Sequence, residues 1–184
     1  MIRSKSTLPF FALLAALLVV GCQPAPAPLK DEAVSPPPAV DSSSGWQLVW
    51  SDEFDGNVLD QESWNVVVMP DPFNNELQYY PGRVDDVPGS NIWIEDGALI
   101  IEARSEEYEH RKYTSGRINT KGKREFAYGR FEARIQQPGE TGLWPAFWLL
   151  GANIDEVGWP ACGEIDILEG KGRRSDWTSG ALHA

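Results

Sequence analysis

Seven consecutive residues, Gly163-Glu164-Ile165-Asp166-Ile167-Leu168-Glu169, set three carboxylates among aliphatic side chains. On a regular strand, side chains two positions apart face the same way. Glu164 and Asp166 then share a face, with Ile165 and Ile167 opposite. Strict alternation would turn Glu169 toward the apolar side, where an unpaired charge is expensive. One extra residue in the strand, a β-bulge, sends Leu168 inward and returns Glu169 to the acid face. Three carboxylates on one face repel. One of them can then hold its proton while another is ionised. Hydrolysis of a glycosidic bond uses that division: one carboxylic acid protonates the leaving oxygen, and one carboxylate attacks the sugar carbon. In the retaining form of the reaction the two groups stand roughly 5–5.5 Å apart, which long side chains can reach by leaning together. The residues alone do not say which glutamate attacks.

An arbitrary pattern of this kind is usually a solvated acidic face, but its surroundings here are unusual. A Trp-rich segment, Leu143 to Leu150, precedes it. Trp144 and Trp148 are four apart and share a face on a strand. Trp159 stands in the loop just before the acids. The chain has 8 Trp among 184 residues, more than one core of that size ordinarily needs. Indole rings also suit the apolar C–H faces of sugars.

Strands must position these groups. From Trp46 onward, short runs of period two alternate with Gly, Asp, Asn and Pro. The predicted strands include Trp46 to Trp50, Phe126 to Gln136, Leu143 to Leu150, Glu164 to Glu169 and Ser179 to His183. Asn91 to Ile94 and Ala98 to Ala103 flank Asp96-Gly97, which predicts a tight hairpin. No amphipathic helix of useful length and no repeat is visible. The pattern is that of an all-β antiparallel sandwich.

The first 45 residues read differently. Arg3 and Lys5 precede an apolar run from Leu8 to Val20, too short for a permanent membrane span. Residues 1–21 are expected to be a signal peptide. Gly21-Cys22 resembles a bacterial lipobox, which implies cleavage before Cys22 and acylation of its thiol. Gln23 after that cysteine favours the outer membrane or cell surface. Residues 22–45 are rich in Pro and Ser and cannot bury a core, so they read as a tether. Residues 46–184 form the expected catalytic domain.

The formal net charge is -11, which argues against nucleic acid as a partner. Two His and one mature Cys give no zinc pattern. No phosphate-cradling Gly loop or Ser-centred elbow is present. With Cys22 acylated, Cys162 alone cannot close a disulfide within the chain. A monomer that needs no cofactor for its chemistry is expected.

The segment Glu164 to Glu169 resembles the bulged signature of glycoside hydrolase family 16, in the form typical of laminarinases (endo-β-1,3-glucanases). Trp50 to Gly56, Asn75 to Tyr80, Tyr113 to Ile118, Tyr128 to Arg134, Trp144 to Leu150 and Ser179 to His183 resemble other segments of the same subfamily, in the same order. The resemblance implies a jelly-roll β-sandwich of two antiparallel sheets with a cleft on its concave face. It implies that Glu164 is the nucleophile, Glu169 the general acid/base and Asp166 the residue that orients Glu164, with configuration retained. It implies sugar contacts from Asn75, Arg117, Trp144, Trp148, Trp159 and His183. It further implies a structural Ca²⁺ at Glu53 and the Gly97 carbonyl. The implied substrate is β-1,3-glucan or mixed-linkage β-glucan. Galactans of the agarose and carrageenan type, and a non-catalytic carbohydrate-binding lipoprotein, are the alternatives. Family domains continue past the position of His183, so 46–184 is expected to be the N-terminal part of a longer domain, its last strands missing.

Overall fold

A computed structural model describes residues 45–184. The expected signal peptide, Cys22 and nearly all of the tether lie outside the described residues. Val49–Ala184 is a compact unit by itself. Of the preceding unit only residues 45–48 are described, and they carry no strand or helix.

Hairpins dominate the first half. In order, the strands are β1 (Asn65–Val66), β2 (Val68–Met69), β3 (Tyr80–Pro81), β4 (Ile92–Glu95), β5 (Ala98–Ile101), β6 (Arg104–Tyr108), β7 (Arg111–Thr114) and β8 (Ile118–Asn119). β4 and β5 pair antiparallel, from Ile92↔Ile101 to Glu95↔Ala98. Asp96 and Gly97 close that hairpin at φ 51° and 71°. Two successive positive φ values match the right-handed twist of the flanking strands, and Asp-Gly supplies them at low cost. β6 and β7 form the next hairpin, while β1 pairs with β8 and β2 with β3.

The second half is one three-stranded antiparallel sheet in the order β11-β10-β9. Its strands are β9 (Ala146–Leu150), β10 (Glu164–Lys171) and β11 (Arg174–His183). A single helical turn, α1 (Ile154–Val157), lies between β9 and β10. It is the only helix among the described residues, in keeping with the all-β expectation.

Two predicted strands did not form. Trp46 to Trp50 and Phe126 to Gln136 carry no strand, despite the period-two alternation in the second. A strand needs a partner to hydrogen-bond its backbone, and no described strand pairs with either segment. Aromatic packing holds them instead: Phe126 meets Trp50 at 6.1 Å and Phe131 at 5.6 Å between ring centroids.

The three-stranded sheet has two unlike faces. One carries the acids. The other is apolar and open, with Ile165, Ile167 and Leu182 exposed, Leu182 to 77%. Buried apolar residues lie in the first half, at Leu59, Tyr80 and Ile92.

Candidate active site

Register along β10 decides where the three acids point. Glu164 is opposite His183 on β11 and Leu150 on β9. Asp166 is opposite Ala181 and Trp148. Between Asp166 and Glu169 the register shifts, and Glu169 stands opposite Ser179 and Ala146. On both neighbours the partners advance by two, Ser179-Ala181-His183 and Ala146-Trp148-Leu150, whereas β10 advances by three from Asp166 to Glu169. One residue of β10 is therefore extra against both neighbours. Directly opposed residues share a face, so Glu164, Asp166 and Glu169 share one. The bulge expected from the cost of burying Glu169 is present. Gly180 lets the strands close there: a Cβ on it would meet the Asp166 carbonyl oxygen at 2.8 Å.

Each acid has a distinct environment. Asp166 is buried, at 7% exposure, with His183 Nε2 3.2 Å from its Oδ2. The same nitrogen lies 3.8 Å from Glu164 Oε1. Glu164 is held above the usual carboxylate range, first by burial and then by the Asp166 charge. His183 and a hydrogen bond from Trp159 oppose that rise. Glu169 accepts a 3.0 Å hydrogen bond at Oε1 from Trp144 Nε1. The Trp159 ring lies 5.7 Å from the His183 ring. Carboxylates in unlike surroundings, beside exposed indoles, can divide acid and nucleophile duties on a bound sugar.

Most of the predicted sugar-contacting residues converge on this face. Trp144, Trp159 and His183 touch the acids as described. Trp148 is opposite Asp166, and the Arg117 guanidinium stacks 4.9 Å from its ring. The one that does not converge is Asn75. It is exposed on a turn at φ 58°, and no hydrogen bond among the described residues ties it to the acids. Its neighbours reach further. Glu76 Oε2 accepts 2.7 Å from the Tyr80 hydroxyl, and burial together with that bond pushes Tyr80 up to about 12.

The residues implied for calcium do not complete a site. Glu53 and Gly97 are both exposed. The adjacent Asp52 carboxylate is engaged elsewhere, accepting from Phe54 N and from Trp64 Nε1 at 2.7 Å. Glu53 belongs to no cluster of three or more potential ligands among the described residues. Ca²⁺ takes six to eight oxygens, so these two alone do not hold it.

Residues 88–184, more than half of the chain, match the model of the glycosyl hydrolases family 16. The chain belongs to this family. As a family 16 domain it has the jelly-roll β-sandwich fold. It is 45% identical over 148 residues to a beta-glucanase of Rhodothermus marinus, covering 78% of this chain and 50% of that protein. It is 40% identical over 144 residues to a glucan endo-1,3-beta-glucosidase of Cryptopygus antarcticus, covering 75% and 51%. Among solved structures, the laminarinase catalytic domain of Thermotoga maritima superposes with a TM-score of 0.68 at 44% identity, covering 76% of this chain and 57% of that one. The chain thus spans about half the length of these two curated relatives.

Sequence reasoning did not single out Lys171 and Trp177. Both line an open cleft of about 460 Å³ together with Glu169 and Trp144. The signal was available: Lys171 is two beyond Glu169, and Trp177 continues the alternation His183-Ala181-Ser179.

Proposed function

We propose that this family 16 chain hydrolyses β-1,3-glucan internally, with retention, through a covalent glycosyl-enzyme intermediate. The observation that carries the reading is the bulge, which sets Glu164, Asp166 and Glu169 on one face beside exposed indoles. In the first step ionised Glu164 attacks the anomeric carbon. Glu169 gives its proton to the glycosidic oxygen as that bond breaks. In the second step Glu169, now ionised, takes a proton from water, which attacks the same carbon and releases Glu164. Two displacements restore the original configuration. Trp144 positions Glu169 through its indole N–H. Asp166 and His183 orient and tune Glu164. Trp148, Trp159, Arg117 and Asn75 serve as sugar contacts. The glucan reading rests on the relatives' names and on the Trp-lined acid face. Mixed-linkage β-glucan belongs to the same substrate class.

The decisive assay compares laminarin, lichenan, agarose and carrageenan for new reducing ends, with Glu164→Gln in parallel. Release from laminarin that drops by about 10⁴-fold or more in the variant is the expected result. Release from the galactans alone would replace the substrate. Binding without release from any of them would remove the catalytic reading.

The same proposal extends to the start of the chain. Residues 1–21 act as signal peptide, acylated Cys22 anchors the protein at the outer membrane or cell surface, and 23–45 hold the domain away from it. Cys22→Ser should move the protein from the membrane fraction to the soluble one and abolish labelling by an alkyne fatty acid. The chain is proposed to act as a monomer. A structural Ca²⁺ at Glu53 and Gly97 would need further oxygens, and no catalytic step depends on it.

A further inference from the structure

The acid face does not stop at Glu169. Two residues further along β10 is Lys171, and two residues before Ser179 on β11 is Trp177. The pairing of β10 and β11 is irregular there: Gly170 pairs with Thr178, but Lys171 pairs with Arg174. The unmatched β11 residues bring Trp177 over Lys171, whose Nζ lies 4.9 Å from the ring centroid. Trp144, Glu169, Lys171, Arg173 and Trp177 line one cleft, open to solvent and about 460 Å³ in volume. That volume suits a sugar unit with a substituent.

Charge sets this cleft apart. The chain carries -11 overall, yet Lys171-Gly172-Arg173-Arg174 places three cations in four residues. Arg174 faces Asp176, with Nε 3.9 Å from Oδ1. Lys171 and Arg173 have no ion-pair partner among the described residues, and Glu169 is the one acid lining the cleft. An indole wall beside two cations that lack an ion-pair partner recognises a ring that bears an anionic group. A bound ring's C–H face takes the place of Lys171 on Trp177, and the anion accepts charge-assisted hydrogen bonds from the released Lys171 and from Arg173.

We propose that this cleft is a binding subsite for the sugar on the leaving side of the cut, and that it prefers a unit carrying a carboxylate or sulfate. The placement on the leaving side rests on the reading that Glu169 protonates the departing oxygen, because the cleft is lined by Glu169 itself. The anion preference rests on the cations. Acidity elsewhere on the chain disfavours a uniformly charged polymer, so the fitting ligand is a largely neutral glucan with sparse anionic substituents.

The test compares neutral laminari-oligosaccharides with the same oligosaccharides sparsely carboxymethylated. The expected kcat/KM is about tenfold higher for the carboxymethylated set, with the advantage shrinking as salt is raised. Mass spectrometry of the products should place the carboxymethyl group on the unit at the new non-reducing end. The double variant Lys171→Gln/Arg173→Gln should bring the ratio of the two kcat/KM values close to one, and Trp177→Ala should lower both values. Equal kcat/KM for the two sets in the unaltered protein would overturn the inference while leaving the glucanase reading intact. So would carboxymethyl groups found only at new reducing ends. Equilibrium binding to Glu164→Gln separates the two readings. Tighter binding of the anionic set, lost in the Lys171/Arg173 background, upholds the anion subsite even where no hydrolysis is seen. Equal binding of both sets rejects it.

Discussion

Two clusters of charge divide this molecule, and they obey opposite rules. In the hairpin half, Glu106 accepts from both Arg83 Nη2 and Thr114 Oγ1. Asn91 joins them, accepting from Arg83 Nη2 at 2.9 Å and donating to Thr114 Oγ1 at 3.0 Å. Asn91 and Thr114 are fully buried. Glu106 is held below the usual carboxylate range, by its hydrogen bond from Thr114 and then by Arg83. In the sheet half, Glu164 sits beside a second carboxylate, has one histidine nearby, and is pushed the other way. The first cluster matches a charge with its opposite and ties the chain together. The second leaves like charges side by side, which costs stability and creates a group whose proton is easily moved. The two shifts differ in cause: burial and crowding at Glu164, satisfied partners at Glu106.

Substitutions can sharpen this contrast. The largest expected effect is from Glu169→Gln, which removes the proposed proton donor and should lower kcat on laminarin by about 10²–10⁴-fold. The loss should be smaller on an aryl glucoside whose leaving group needs no proton, and stability in urea should change little. Glu106→Gln should do the reverse. It leaves Arg83 with a weakened partner and should cost about 1–2 kcal/mol in urea unfolding, with kcat preserved. If Glu106→Gln lost activity at full stability, the division between the two clusters would fail.

Next comes Trp144→Phe, which deletes the donor to Glu169 Oε1 while keeping an aromatic ring. About a tenfold fall in kcat is expected. The subtlest effect is a movement along the pH axis. In the proposed mechanism attack needs ionised Glu164, and a raised pKa keeps the carboxyl protonated to higher pH. The acid limb of kcat/KM therefore lies above that of an ordinary glutamate. Asp166→Asn removes one of the causes of the rise, so the limb should move to lower pH. A limb that stayed in place would show that burial alone sets it.

How legible this site was depends on the residue. The shared face of Glu164, Asp166 and Glu169 followed from parity plus the cost of burying a charge, and the structure bears it out. The Asp96-Gly97 turn was equally plain, because two positive φ values restrict the residues that can supply them. Phe126 to Gln136 misled: its alternation is that of a strand, yet it lacks a ladder partner among the described residues. Asn75 belongs to a recognisable segment, but its turn leaves it untied to the acids.

The sequence by itself determined the candidate residues for chemistry, the need for a bulge, and the family to which the chain belongs. These depend on periodicity and on the energy of single side chains, both local properties. Only the tertiary structure decided that Trp144 donates to Glu169, that Arg117 stacks on Trp148, and that Lys171 and Trp177 extend the acid face into a cationic cleft. Each of those requires knowing which strand lies beside which and in what register. Register is set by the packing of segments far apart in the chain, and no local pattern encodes it.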